Sequence, residues 1–142
     1  MSVQNYANHR RFDPLYHYVG SVLLLLFLGL SLTLAWRMKG LFGASLLVLA
    51  ALMAILFTLV RVYALKVQDR LIRLEEGLRM ARVLPEDLKA RIPELTAQQC
   101  VGLRFASDGE LADLVRQILA EGLGNEDIKK RIKTWRPDTF RV

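Results

Sequence analysis

Residues 41–84 read LFGASLLVLAALMAILFTLVRVYALKVQDRLIRLEEGLRMARVL, with no proline and no glycine between Gly43 and Gly77. The first half is apolar for about 20 residues, enough for a helix to cross the hydrocarbon core of a bilayer. The second half turns charged without any helix-stop signal. Nothing in the chemistry of the chain interrupts a single helix here. At 1.5 Å per residue it would run about 60 Å, half in lipid and half in water. The stretch therefore sets an architecture before it says anything about activity.

Upstream, residues 15–36, LYHYVGSVLLLLFLGLSLTLAW, carry no ionisable group except His17. This run is longer than the apolar core of a signal peptide, and no small-x-small cleavage pattern follows Trp36, so an uncleaved membrane helix is expected. Pro14 suits a first helical turn. Arg37-Met38-Lys39-Gly40 is too short a link for anything but an antiparallel return. The expected fold is an all-α membrane protein. A transmembrane hairpin spans residues 15–63, with helices over about 15–36 and 41–63. Residues 1–14 form a cytoplasmic arm, and residues 64–142 a small cytoplasmic helical domain entered by the extended second helix.

The charge distribution orients this hairpin. The whole chain has 20 Lys and Arg against 14 Asp and Glu, and residues 85–142 hold ten of each sign, so the net charge of +6 arises next to the membrane. Arg10, Arg11, Arg61, Lys66, Arg70, Arg73, Arg79 and Arg82 flank the side shared by both outer ends. The link offers only Arg37 and Lys39. Positive residues mark the cytoplasmic side, so both termini are expected in the cytoplasm of a bacterial inner membrane. Of these, Arg10, Arg11, Arg61, Lys66, Arg70 and Arg73 are the expected contacts to anionic headgroups. Tyr16, Tyr18 and Tyr63 would sit at one interface and Trp36 at the other. A basic patch confined to the membrane flank argues against nucleic acid, which would require it on the soluble domain.

Two apolar patterns suggest contact surfaces. In lipid, helices approach through small residues. Ala50, Ala54 and Thr58 recur at four-residue spacing on the second helix, as do Gly29 and Thr33 on the first. These stripes are expected to face each other or a neighbouring subunit. Beyond the membrane, Val60, Ala64, Val67, Leu71, Leu74, Leu78 and Ala81 alternate at four and three residues. This is a 3.5-residue seam of the kind that winds helices together. Val67, Leu71, Leu74 and Leu78 form its interface. Leu65 and Ile72 widen the stripe, so two readings stay open: self-association, or cover for the distal core. Glu75 and Arg79 stand at a favourable i, i+4 spacing. Gly77 weakens the helix by about 1 kcal/mol relative to alanine and is the expected point of bending.

The distal region reads as short helices. Pro85-Glu86-Asp87 opens one, with acids at its positive end. Thr96–Gln99 and Ser107–Glu110 have capping-box spacing. The second opens a helix over about Asp108–Glu121, ended by Gly122. Asn125 is expected to cap a last helix in which Ile128, Ile132 and Trp135 pack into the core. No alternating strand pattern is present. A domain this small needs to dock on the helix ending at Leu84 to bury a sufficient core.

Catalytic and metal-binding signatures are missing from the sequence. Both histidines, His9 and His17, precede or begin the first membrane helix, and Cys100 is the single cysteine. No nucleophile elbow, phosphate-binding loop, zinc motif or dinucleotide glycine pattern occurs. The apolar spans lack Asp, Glu, Lys and Asn, which ion and proton pathways use. No cofactor, no metal and no enzymatic activity is expected.

QNYANHRRFDPLYHYV (residues 4–19), LRFASDGELADLV (103–115) and IKKRIKTWRPDTFRV (128–142) resemble an uncharacterised bacterial family of small two-helix membrane proteins, a domain of unknown function. The resemblance covers nearly the whole chain and implies the hairpin and helical tail, with no activity or catalytic residue attached. The expected function is therefore a non-enzymatic, membrane-anchored interaction protein, an accessory or scaffolding subunit of a homo-oligomer or larger membrane complex. The alternative is a regulatory or sensory protein reading anionic lipid or a cytoplasmic ligand through the basic juxtamembrane helix.

Overall fold

The computed structural model describes residues 4–9 and 13–138. It is all-helical. A π-helical turn at Leu15–Gly20 leads into α1 (Ser21–Met38), followed by α2 (Gly40–Val83), α3 (Glu86–Lys89), a 3-10 turn (Ile92–Glu94), α4 (Ala97–Leu103), α5 (Asp108–Glu121) and α6 (Asn125–Arg131). Two stretches, Leu15–Met38 and Gly40–Val83, are long and apolar enough to cross a membrane. The chain divides into two compact units, one of residues 11–64 and one of residues 1–10 with 65–142.

In the first unit, Asp13 starts the first helix: its carboxylate accepts hydrogen bonds from the backbone N–H groups of Leu15 and Tyr16 at 2.9 and 3.1 Å. Lys39 adopts a positive φ of 47° and Gly40 one of 64°, which is how a two-residue corner separates α1 from α2. Glycine takes that conformation freely and lysine does not. The face of α1 turned toward α2 is Ser21, Leu24, Leu28, Ser31 and Ala35, with Ser31 fully packed. On α2 it is Gly43, Leu46, Ala50, Ala54 and Phe57. A Cβ on Gly43 would lie 2.9 Å from the Ala35 carbonyl oxygen, so this close approach requires glycine. Tyr16 stacks on Phe57 with ring centroids 4.4 Å apart, and its hydroxyl donates to the Phe57 carbonyl at 3.2 Å.

The second unit has a true core. Met80, Leu84, Leu88, Leu95, Cys100, Leu103, Phe105, Leu111, Leu114, Val115, Ile118, Leu123, Ile128 and Ile132 are buried together. The caps work as the sequence reading expects. Thr96 and Gln99 close a reciprocal box, 2.8 and 3.2 Å. Gly122 ends α5 in the left-handed region at φ 66°. Asn125, expected as a cap, is instead the first residue of α6, with Gly124 in the capping place. The tail is laced across the 105–107 loop: Arg136 N–H donates to the Phe105 carbonyl at 2.7 Å and Ser107 N–H to that of Thr134 at 3.1 Å. Glu110 reinforces this by accepting from Lys133 and Thr134 N–H, 3.1 and 3.2 Å.

Candidate functional site: the two faces of the α2 end segment

Between Leu65 and Val83, α2 presents opposite faces with opposite fates. At 100° per residue, Ile72, Glu76 and Met80 project about half a turn away from Val67, Leu71, Leu74 and Leu78. The first face is the floor of the core. Met80 belongs to the core, and Ile72, Glu76 and Arg79 on the same face are buried at 6%, 5% and 6% exposure.

Two buried charges need compensation, because removing them from water costs several kcal/mol each. Arg79 Nη1 donates to Glu76 Oε2 at 2.9 Å, its Nε reaches Asp108 Oδ1 at 2.8 Å, and its Nη2 meets the Ala106 carbonyl at 2.6 Å. Arg136 approaches the other Glu76 oxygen at 3.5 Å. Burial pushes the Glu76 carboxyl up, against the pull of Arg79 and Arg136. This cluster ties α2 to the 106–108 loop and the tail. The i, i+4 pair of Glu75 with Arg79 expected from spacing is not formed. Arg79 turns to Glu76, because the two share the buried face and Asp108 and Ala106 complete the arginine's fork. Glu75 is left on the outside.

The opposite face has no cover. Val67, Leu71, Leu74 and Leu78 are 66%, 53%, 60% and 59% exposed. Cover for the core, one of the two readings of the seam, therefore falls to Met80 and Leu84 instead. Grooves run along both flanks of the exposed row. One, of about 530 Å³, is lined by Gln68, Leu71, Glu75, Leu78, Arg82 and Arg136 among others. The other, of about 450 Å³, is lined by Arg70, Arg73, Leu74, Gly77, Leu78 and Ala97. The arginines of the larger groove already serve the chain: Arg79 and Arg136 hold Glu76, Arg104 holds Asp138 at 3.3 Å, and Arg82 donates to the Leu78 carbonyl at 3.3 Å. Among the described residues no three His, Cys, Asp or Glu side chains gather as a metal would require. Burial also raises the Cys100 thiol, which keeps it protonated and unreactive.

The other expected contact residues divide similarly. Ala50 is buried and Ala54 half-buried against α1, whereas Thr58, Gly29 and Thr33 are exposed. The first-helix stripe thus does not face the second helix. Gly29 and Thr33 stand two residues either side of Ser31, about 200° round the helix, and Ser31 takes the contact. The Thr33 hydroxyl bonds its own Gly29 carbonyl at 2.8 Å, and Thr58 does the same with Ala54 at 2.9 Å. Tyr18, Trp36 and Tyr63 are exposed, while Tyr16 is drawn inward onto Phe57. Arg61 lies over the Tyr16 ring at 5.5 Å. Lys66, Arg70 and Arg73 are exposed. Arg10 and Arg11 lie outside the described residues.

Periodicity gives no sign of the arm's place. His9 is buried at 6% exposure, with ring centroids 5.9 Å from Phe105, 5.8 Å from Trp135 and 5.5 Å from Tyr6. Tyr6 donates to Glu126 at 3.2 Å, and Gln4 accepts from Asp138 N–H at 2.8 Å. The arm is an outer layer of the helical unit. Its one legible signal is an unusual density of aromatic and hydrogen-bonding side chains before the apolar span.

The whole chain, residues 1–142, matches DUF6526, a family of unknown function. It belongs to that family. No curated protein and no solved structure matches it. The two apolar helices and the helical unit described above are thus a structure for a DUF6526 chain, and its geometry carries the functional argument alone.

Proposed function

We propose that this DUF6526 protein is a non-enzymatic, membrane-anchored interaction protein, an accessory or scaffolding subunit of a homo-oligomer or larger membrane complex. In this reading residues 15–63 form a transmembrane hairpin in a bacterial inner membrane, and both termini and residues 64–142 lie in the cytoplasm. The close approach of Gly43 to Ala35 and the Tyr16–Phe57 stack support the paired helices. The outward leucines of the apolar spans, such as Leu25, Leu26 and Leu30, suit lipid contact.

The single observation that carries the interaction role is the uncovered row Val67, Leu71, Leu74 and Leu78, beside a finished core. Contiguous apolar surface of that kind marks a place where another macromolecule sits. Native mass measurement after purification in mild detergent tests the proposal. An assembly, of the chain with itself or with a companion protein, is expected; a strict monomer without companion contradicts it.

The exposed Lys66, Arg70 and Arg73 favour a second reading, in which this helix senses anionic lipid. Binding of the protein's residues 61–142 to anionic liposomes should then fall steeply with salt. Salt-independent binding, or none, removes that reading.

A further inference from the structure

We propose that the occupant of the exposed α2 face is the same face of a second copy, docked parallel and in register, with Arg70 of each chain paired to Glu75 of the other. The inference rests on the interaction role proposed above and names its partner.

The seam repeats every seven residues. With Ala64, Leu71 and Leu78 at the a positions, Val67, Leu74 and Ala81 fall at d. Arg70 then occupies g and Glu75 occupies e. In a parallel pair the g residue of one heptad faces the e residue of the following heptad on the other helix. Arg70 and Glu75 are five residues apart, which is that separation, and their charges are opposite. The remaining facing pairs, Tyr63 with Gln68 and Gly77 with Arg82, put no like charges together.

Three features of the molecule fit a copy of itself better than another partner. First, among the described residues neither Arg70 nor Glu75 makes an ion pair. Most acids of the unit do: Glu76, Glu86, Asp87, Glu94, Asp108, Asp113, Glu121, Glu126 and Asp138 each hold a basic side chain. The rotation of Arg79 toward Glu76 is what leaves Glu75 unengaged. Second, the flanking grooves match the heptad edges. Gln68, Glu75 and Arg82, the e residues, line one groove; Arg70 and Gly77, g residues, line the other. A knob from a second helix has a hole on either side of the row. Third, two copies anchored through the same upstream spans enter this segment in the same chain direction, so the parallel arrangement that Arg70 and Glu75 require is the one a shared membrane imposes.

The test uses the full-length protein in native membranes, with Leu74→Cys as the reporting site at a d position. Cys100 is buried and out of reach of an added oxidant. Leu74→Cys should form a disulfide-linked dimer of the chain, while Lys130→Cys, at an exposed position of α6, should not. Adding Arg70→Glu or Glu75→Arg to Leu74→Cys should lower the dimer yield, by about tenfold in affinity for two reversed pairs. Co-expressing the two charge variants, one copy all-acidic and the other all-basic at these positions, should restore it as a mixed dimer. Equal yields in every charge combination overturn the Arg70–Glu75 pairing. A Leu74→Cys adduct only with a different protein overturns the second copy but leaves the interaction role standing. No adduct with any protein overturns both.

Discussion

The two faces of α2 between Leu65 and Val83 share one backbone, yet they are built differently. The inner face mixes Ile72 and Met80 with two buried charges, Glu76 and Arg79, each satisfied by named partners. The outer face is a plain row of Val67, Leu71, Leu74 and Leu78, with charges only on its edges. A buried charged cluster fixes one arrangement, since any slip leaves an ion unpaired. A leucine row with charged edges is permissive in shape and takes its specificity from the edges. The inner face is thus suited to a permanent intramolecular contact and the outer face to docking. The same difference orders the effects of mutation.

The largest effect is expected at the charged cluster. Arg79→Ala removes the hydrogen bonds to Glu76, Asp108 and Ala106 and leaves the Glu76 carboxylate without its main partner. A loss of about 3–5 kcal/mol in unfolding free energy is expected by chemical denaturation. A loss under about 1 kcal/mol would mean that the cluster does not hold the inner face. Next comes Gly102→Ala, whose Cβ would lie 3.1 Å from Ile128 and 3.2 Å from the Asn125 carbonyl oxygen. Wedging α4 from α6 in this way should cost about 1–3 kcal/mol.

A smaller effect concerns pH. The Glu76 carboxyl is raised chiefly by burial, so its contribution to stability is fully present below its ordinary pKa of 4.5 and is lost as pH rises through the raised value. The stability of the wild type relative to Glu76→Gln should therefore decline across that window. A rise with pH would show that Arg79 outweighs burial. The smallest effect on folding is expected outside: Leu74→Ala should change the stability of the isolated chain by no more than about 0.5 kcal/mol. A loss of core-like size would mean the outer face is already covered.

Much of this organisation is legible from local rules. The α5 bounds, the Thr96–Gln99 and Ser107–Glu110 boxes and the Gly122 stop follow from side-chain chemistry that acts within four residues. Ile128 packs into the core from α6 as its spacing implies, whereas Ile132 and Trp135, expected on the same helix, lie past its end at Arg131 and reach the core from extended chain. What periodicity leaves undecided is which of two overlapping stripes on α2 meets the domain. Leu65, Ile72 and the seam are all apolar, and the choice is made by distant groups, Asp108, Ala106 and Arg136, that accept or complete the Glu76–Arg79 pair. The same limit applies to His9, whose burial depends on Phe105 and Trp135 nearly a hundred residues or more away in the chain. On α1, glycine and threonine look like the close-packing residues, but Ser31 and Ala35 are equally small and lie in phase with Gly43 and Ala50.

The proposed docking surface, the outer face of α2, stands apart from the fold. Native mass measurement of Leu74→Asp in mild detergent, beside the wild type, tests it most directly. An assembly is expected for the wild type and a folded monomer for the variant; an unchanged assembly in Leu74→Asp means that this face does not dock a partner.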